Sequence, residues 1–255
     1  MPAWLREPGC YGYRHGMGKV EQDGFCGFPP DLFAFLEDLK NHNERDWFQA
    51  NKDRYLQSVV EPVSSFIRAV DGSLAKVSDC FVADSRPHGG SMFRIYRDVR
   101  FSRDKRPYKE HTACQFRHIA GKNAHAPGFY VHIEPGRVFF GGGIWHPAGP
   151  ELRRLRTAID EDQDGWKKAT RSRGFKKRFK EIEGDSLKRP PQGFDADHPL
   201  IEDLKRKSFF AMQAVDEKVA LGPAFLAEVE KAFVALSPLM AFLCAAVDVP
   251  FSLDE

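Results

Sequence analysis

Cysteine is scarce: the five residues Cys10, Cys26, Cys80, Cys114 and Cys244 are odd in number and form no C-x-x-C pair. A disulfide framework or a zinc knuckle is therefore not expected, and a reducing, cytoplasmic compartment is the simpler expectation. No run of about 18 apolar residues occurs, so no membrane partner is expected. The first 24 residues are interrupted by charges, Gly and Pro where a signal peptide needs a continuous apolar stretch. They read as a loosely ordered leader ahead of one domain over residues 25–255. One-sided charge is lacking too. The 38 basic and 36 acidic residues leave a net +2, so any attraction of nucleic acid or of small anions has to be local. Repeats of 20–50 residues, a P-loop and a G-x-G-x-x-G are all missing, so no cofactor is specified.

What is abundant is aromatic and aliphatic mass. Hydrophobic residues are 42% of the chain and 22 are Phe, enough to bury a full core without covalent staples. From Pro30, Leu32, Phe35, Leu36 and Leu39 recur at helical spacing up to Asn41-His42-Asn43. Asn43 is then expected to cap a second helix, whose stripe runs through Phe48, Tyr55, Val59, Val63, Phe66, Ile67 and Val70, with Pro62 kinking or dividing it. After residue 78, short aromatic and β-branched segments predict strands near 80–84, 91–97, 112–118, 128–134 and 137–142, the last two joined through Pro135-Gly136. Helical spacing returns from Leu152 to Ile159 and from Leu226 to Leu243, across a polar, Pro-interrupted connector. Helices, then strands, then helices predict an α+β fold. Its mostly antiparallel sheet spans about 80–144, covered on one face by the N-terminal and C-terminal helices, with an Arg/Tyr/His face left open.

Residues 94–109 hold seven basic side chains against two acidic ones. If 91–97 is a strand, Phe93 and Ile95 face the core and Arg94 and Tyr96 the other side, while the following loop folds Arg100, Lys105 and Lys109 over the same surface. Arg94, Tyr96, Arg97, Arg100, Lys105, Tyr108 and Lys109 would then bind a phosphate- or carboxylate-bearing small molecule, since Arg supplies planar forks and Lys a point charge. The alternative is that these cations pair with carboxylates and hold a long loop down. Alternation over 128–134 puts Tyr130, His132 and Glu134 on one face, so His132 and Glu134 form a candidate acid–base pair, and otherwise a solvated strand face. Gly141-Gly142-Gly143 would let backbone approach a ligand, with Trp145 as a stacking wall and His146 as a proton donor, or would form only a tight loop. His118, His125, His132 and His146 show no standard metal spacing, so no metal site is expected. Residues 166–180 carry eight Lys or Arg and no acid, interleaved with Trp166, Phe175 and Phe179. They keep open a nucleic-acid-associated role, or only a solvated helix face. A non-catalytic interaction scaffold would instead show an exposed apolar patch around Phe225–Phe242.

Several ungapped motifs occur in a fixed order: Arg45-Asp46-Trp47-Phe48-Gln49-Ala50-Asn51-Lys52, Phe93-Arg94-Ile95-Tyr96-Arg97-Asp98, Phe101-Ser102-Arg103-Asp104-Lys105 and Pro107-Tyr108-Lys109. Gly128-Phe129-Tyr130-Val131-His132, Gly141 through Pro147, and Phe194-Asp195 through His198-Pro199 follow. Together, from about Phe28 to Phe251, the chain resembles the DUF2461 family of bacterial and fungal proteins. The resemblance implies a single domain and lends no reaction, cofactor or catalytic residue.

Overall fold

The computed structural model describes residues 24–121 and 126–253; the leader expected over 1–24 lies, but for Gly24, outside them. Helix α1 (Pro30–Asn41) buries Leu32, Phe35, Leu36 and Leu39, the stripe its spacing specifies. Short helices α2 (Arg45–Ala50) and α3 (Lys52–Tyr55) lead through one π-helical turn, Leu56–Val60, into α4 (Glu61–Ala75). The wide turn falls just before Pro62, whose ring would collide with the carbonyl four residues back in a regular α-helix; the Glu61 amide bonds Leu56 instead. Asn43 does not cap α2. Its buried side chain accepts from the Tyr108 amide at 3.0 Å and donates to the Tyr108 carbonyl at 3.1 Å, pinning a distant loop to the helical layer.

Strands β1 (Phe81–Val82), β2 (Thr112–His118), β3 (Gly128–Glu134), β4 (Arg137–Ile144) and β5 (Phe209–Val215) form one antiparallel sheet in chain order. The fold is α+β, and the sheet extends beyond residue 144 because β5 comes from the connector expected to be irregular. Helices α5 (Gly149–Glu161), α6 (Gln163–Arg171), α7 (Arg173–Arg178) and α8 (Ile201–Leu204) precede β5, and α9 (Glu217–Ala220) and α10 (Ala224–Ala246) follow it.

The segment 91–97 is not a strand of this sheet. It makes one pair with β2 at Met92–Cys114, bends at Ile95 and folds back on itself at Tyr96–Tyr108. Met92 and Ile95 are buried three residues apart, so the period-2 alternation that would have carried Arg94 on a rigid ladder is broken.

Helix α10 lies across the inner face of the sheet. Phe233 packs on Phe129 with centroids 4.3 Å apart, Phe225 on Phe140 at 5.7 Å, and Trp166 of α6 reaches Phe242 at 5.2 Å. By length and composition α10 could cross a membrane, with a mean hydropathy of 1.6. Its Phe225, Val229, Phe233, Leu236, Leu239, Met240 and Leu243 are instead buried in the core, so an apolar patch expected of a scaffold is not formed by them. A helix enclosed on several sides by protein needs little polar surface.

Candidate functional site

The outer face of the sheet carries a cavity of about 990 Å³, at the upper end of the roughly 300–1,000 Å³ typical of small-molecule sites. Strand register sets its shape. Across β2, β3, β4 and β5, one row of outward residues reads Arg117, Gly128, Gly143, Phe210; the next reads Gln115, Tyr130, Gly141, Met212; the third reads Ala113, His132, Phe139, Ala214. Glycine at three adjoining grid points removes the side chains that would fill the middle of the face.

Two of those glycines, Gly141 and Gly143, are also demanded by the backbone. Gly143 has φ +145°, and a Cβ there would lie 2.2 Å from the Phe209 carbonyl oxygen; at Gly141 it would lie 2.0 Å from that of Ala211. The hollow and the tight β4–β5 approach therefore have one cause.

Tyr130, His132 and Glu134 share the outward face of β3 and are joined in series. The His132 Nε2 atom lies 3.1 Å from Glu134 Oε2, and its Nδ1 lies 3.1 Å from the Tyr130 hydroxyl. A carboxylate only accepts, so Nε2–H donates to Glu134, leaving Nδ1 to accept from Tyr130 O–H. The ring is buried and stacks on Phe139 at 4.4 Å, while His111 packs against it at 4.4 Å. Burial lowers the His132 pKa despite the help of Glu134. Burial, and next the neighbouring His132, push His111 down to about 4. Burial raises the Tyr130 phenol to about 12, so it remains a protonated donor at neutral pH.

Such a series can take up one proton. A ligand proton passes to the Tyr130 oxygen as the phenolic proton passes to His132 Nδ1, and Glu134 stabilises the imidazolium that forms. Charge is available nearby. Arg117 bonds only Gln115 Oε1, at 3.3 Å, and pairs with no carboxylate among the described residues. Arg137 leans over Phe139 and lies 3.8 Å from Glu134. Trp145, Phe210 and Phe93 add apolar walls, and Glu183 adds a single acid, which accepts from the Met212 amide at 3.2 Å.

The structure thus brings His132 and Trp145 to the cavity, with Glu134 behind His132. The expected cationic lining is placed elsewhere. Arg97 bonds Asp104 at 2.7 Å and Arg100 bonds Asp98 at 2.7 Å; Lys105 donates to the Val99 carbonyl and Lys109 to that of Arg94. Tyr108 is buried and stacks on Phe48 at 4.1 Å, and Tyr96 lies exposed beside it. Arg94 projects into solvent. These cations bind their own loop because Asp98, Asp104 and the loop carbonyls lie within reach of them. His146 is exposed at φ 42° beyond Trp145, its amide bonded to Ser208, and does not line the cavity. His125 lies outside the described residues.

In the second basic run, Trp166, Phe175 and Phe179 are core residues at 0–1% exposure, leaving none of them to stack on a base. Four lining residues not singled out from the sequence, Gln115, Arg117, Arg137 and Phe139, follow from period-2 alternation in β2 and β4. Phe210 and Met212 required knowledge of β5.

No curated protein matches the chain significantly. A family model described as a conserved hypothetical protein (DUF2461) matches residues 31–242, from the first turn of α1 to the last turns of α10. The chain belongs to the DUF2461 family.

Proposed function

We propose that the outer face of the sheet binds an anionic small molecule, carrying phosphate or carboxylate, and that Tyr130, His132 and Glu134 accept a proton from it. The observation that carries this reading is the Tyr130–His132–Glu134 series, centred on the buried His132, at a cavity whose edge holds Arg117 without a carboxylate partner among the described residues. Burial keeps both His111 and His132 neutral near pH 7, the state in which an imidazole can receive a proton. Among the described residues, two lining arginines against one lining acid favour an anion over a cation.

The test is a thermal-shift panel of phosphate- and carboxylate-bearing metabolites, followed by calorimetry of any ligand found. A ligand at about 100 times its Kd stabilises the folded state by about 2.7 kcal/mol, a shift of several degrees. Arg117→Ala should remove that shift. Imidazole 15N NMR of the complex should show His132 protonated on both ring nitrogens, and Tyr130→Phe should leave that ring neutral while binding persists. A panel without a single stabilising anion, or shifts unaltered in Arg117→Ala, overturns the proposal.

A further inference from the structure

We infer that the ligand of this face is a planar ring carrying a carboxylate or phosphate, seated flat over the glycine floor with its anionic group on Arg117. The inference rests on the anion-site reading and names the class of molecule within it. Its basis is the row Arg117, Gly128, Gly143, Phe210, in which two side-chain-free positions separate a guanidinium from an aromatic wall. Neighbouring strands lie about 4.8 Å apart, so the flanking columns stand about 14 Å apart and the two glycines leave roughly 10 Å free between their side chains. One six-membered ring with a single anionic substituent spans such a gap. A fused or extended ring system would run into Phe210.

The floor is flat because it is backbone: Gly128, Gly143 and Gly141 adjoin one another across β3 and β4. At its far end Trp145 and Phe210 form one wall, with centroids 5.1 Å apart and planes tilted by 39°. Trp145 is 64% exposed, and it flanks the vacancy over Gly143 from two residues further along the chain. Tyr130 stands in the adjoining row beside Gly141, so its ring borders the glycines while its hydroxyl is turned toward His132. A planar ring gains from contact with backbone below and the indole face beside it. A puckered ring of equal charge loses much of both.

Two probe pairs of matched charge separate ring shape from charge: benzoate against cyclohexanecarboxylate, and phenyl phosphate against cyclohexyl phosphate, each titrated into the full chain by calorimetry. The planar member of each pair should bind about tenfold more tightly. Trp145→Ala alters an exposed side chain and should cut the preference below about threefold by weakening the planar probes more than the saturated ones. Arg117→Ala should weaken all four. The carboxylate and phosphate pairs also show which anion the site prefers. Equal affinities within both pairs, with Arg117→Ala still weakening them, overturn the planar-ring class and leave the anion site standing. A preference that survives Trp145→Ala unchanged places the ring away from the wall and overturns the inference as well. If none of the four binds at millimolar concentration, the ring class falls, and the anion site falls with it only when the metabolite panel is also blank.

Discussion

His111 and His132 show how burial sets the chemistry of a single side chain. The two imidazoles pack with centroids 4.4 Å apart and planes tilted by 34°, with Lys109, Glu134 and Arg137 as the charged groups acting on them. Both are held below the ordinary 6.5, His111 to about 4, chiefly because a charged ring would lose solvation. An unfolded chain would protonate each near 6.5. Between about pH 6.5 and 5 the unfolded state therefore binds protons that the folded state refuses, so stability is complete above that window and falls as pH drops through it. The slope is at most about 1.4 kcal/mol per pH unit for each histidine. Urea unfolding at about pH 7.5, 6 and 5 measures it, above the range in which the paired carboxylates titrate. His111→Gln should flatten the profile, and a flat wild-type profile would show that the histidines are not buried as neutral rings. Protonation of His132 at Nδ1 would also end its acceptance from Tyr130, so transfer of the ligand's proton to His132 should weaken over the same range.

At the scale of the element, β4 combines two demands in adjoining glycines. Gly143 holds φ +145° against the β5 backbone, whereas Gly136, in the Pro135-Gly136 turn, holds φ +72° with open space around it. Gly136→Ala should cost only the left-handed penalty, about 1–2 kcal/mol. Gly143→Ala adds a collision with Phe209 and Phe210 and should cost about 2–4 kcal/mol. Chemical denaturation ranks the two, and equal costs would show that β5 yields readily. Strands β2, β3 and β4 were legible because Cys114 and Phe116, Phe129 and Val131, and Val138 and Phe140 alternate with outward residues. The outward set, including Tyr130, His132 and Glu134, was legible with them. Strand β5 was not, since Phe209-Phe210-Ala211-Met212 is apolar without interruption and lies within a connector that is otherwise polar and Pro-interrupted. The segment 91–97 misled in the opposite sense. Its residues alternate, yet Asn43 clamps Tyr108 from 65 positions away and draws the chain back over itself, a long-range contact that local pattern does not encode. The cations of 94–109 lie away from the cavity for the same reason, because their partners are fixed by that fold-back.

On the scale of the whole molecule, one sheet separates stability from chemistry. The inner face is closed by α10, where Phe233 covers Phe129 and Phe116 and is itself fully buried. The outer face leaves its aromatic residues partly in solvent, Trp145 most of all. Phe129 and Tyr130 are neighbours on β3 that point to opposite sides, so the floor of the cavity is also the roof of the core. Removing Phe233 deletes packing beneath that floor. Phe233→Ala should cost about 3–5 kcal/mol of unfolding free energy. Trp145→Ala, on the other face, should stay within about 0.5 kcal/mol in the absence of ligand. The two side chains share no contact, so their costs should add in the double variant to within about 0.5 kcal/mol. Urea unfolding of wild type, both single variants and the double variant measures all four corners. A large cost for Trp145→Ala alone would make the outer face part of the core and its aromatic residues structural. A strong coupling would mean that the glycine floor moves with the helix beneath it, and that ligand binding above should then alter stability through Phe233.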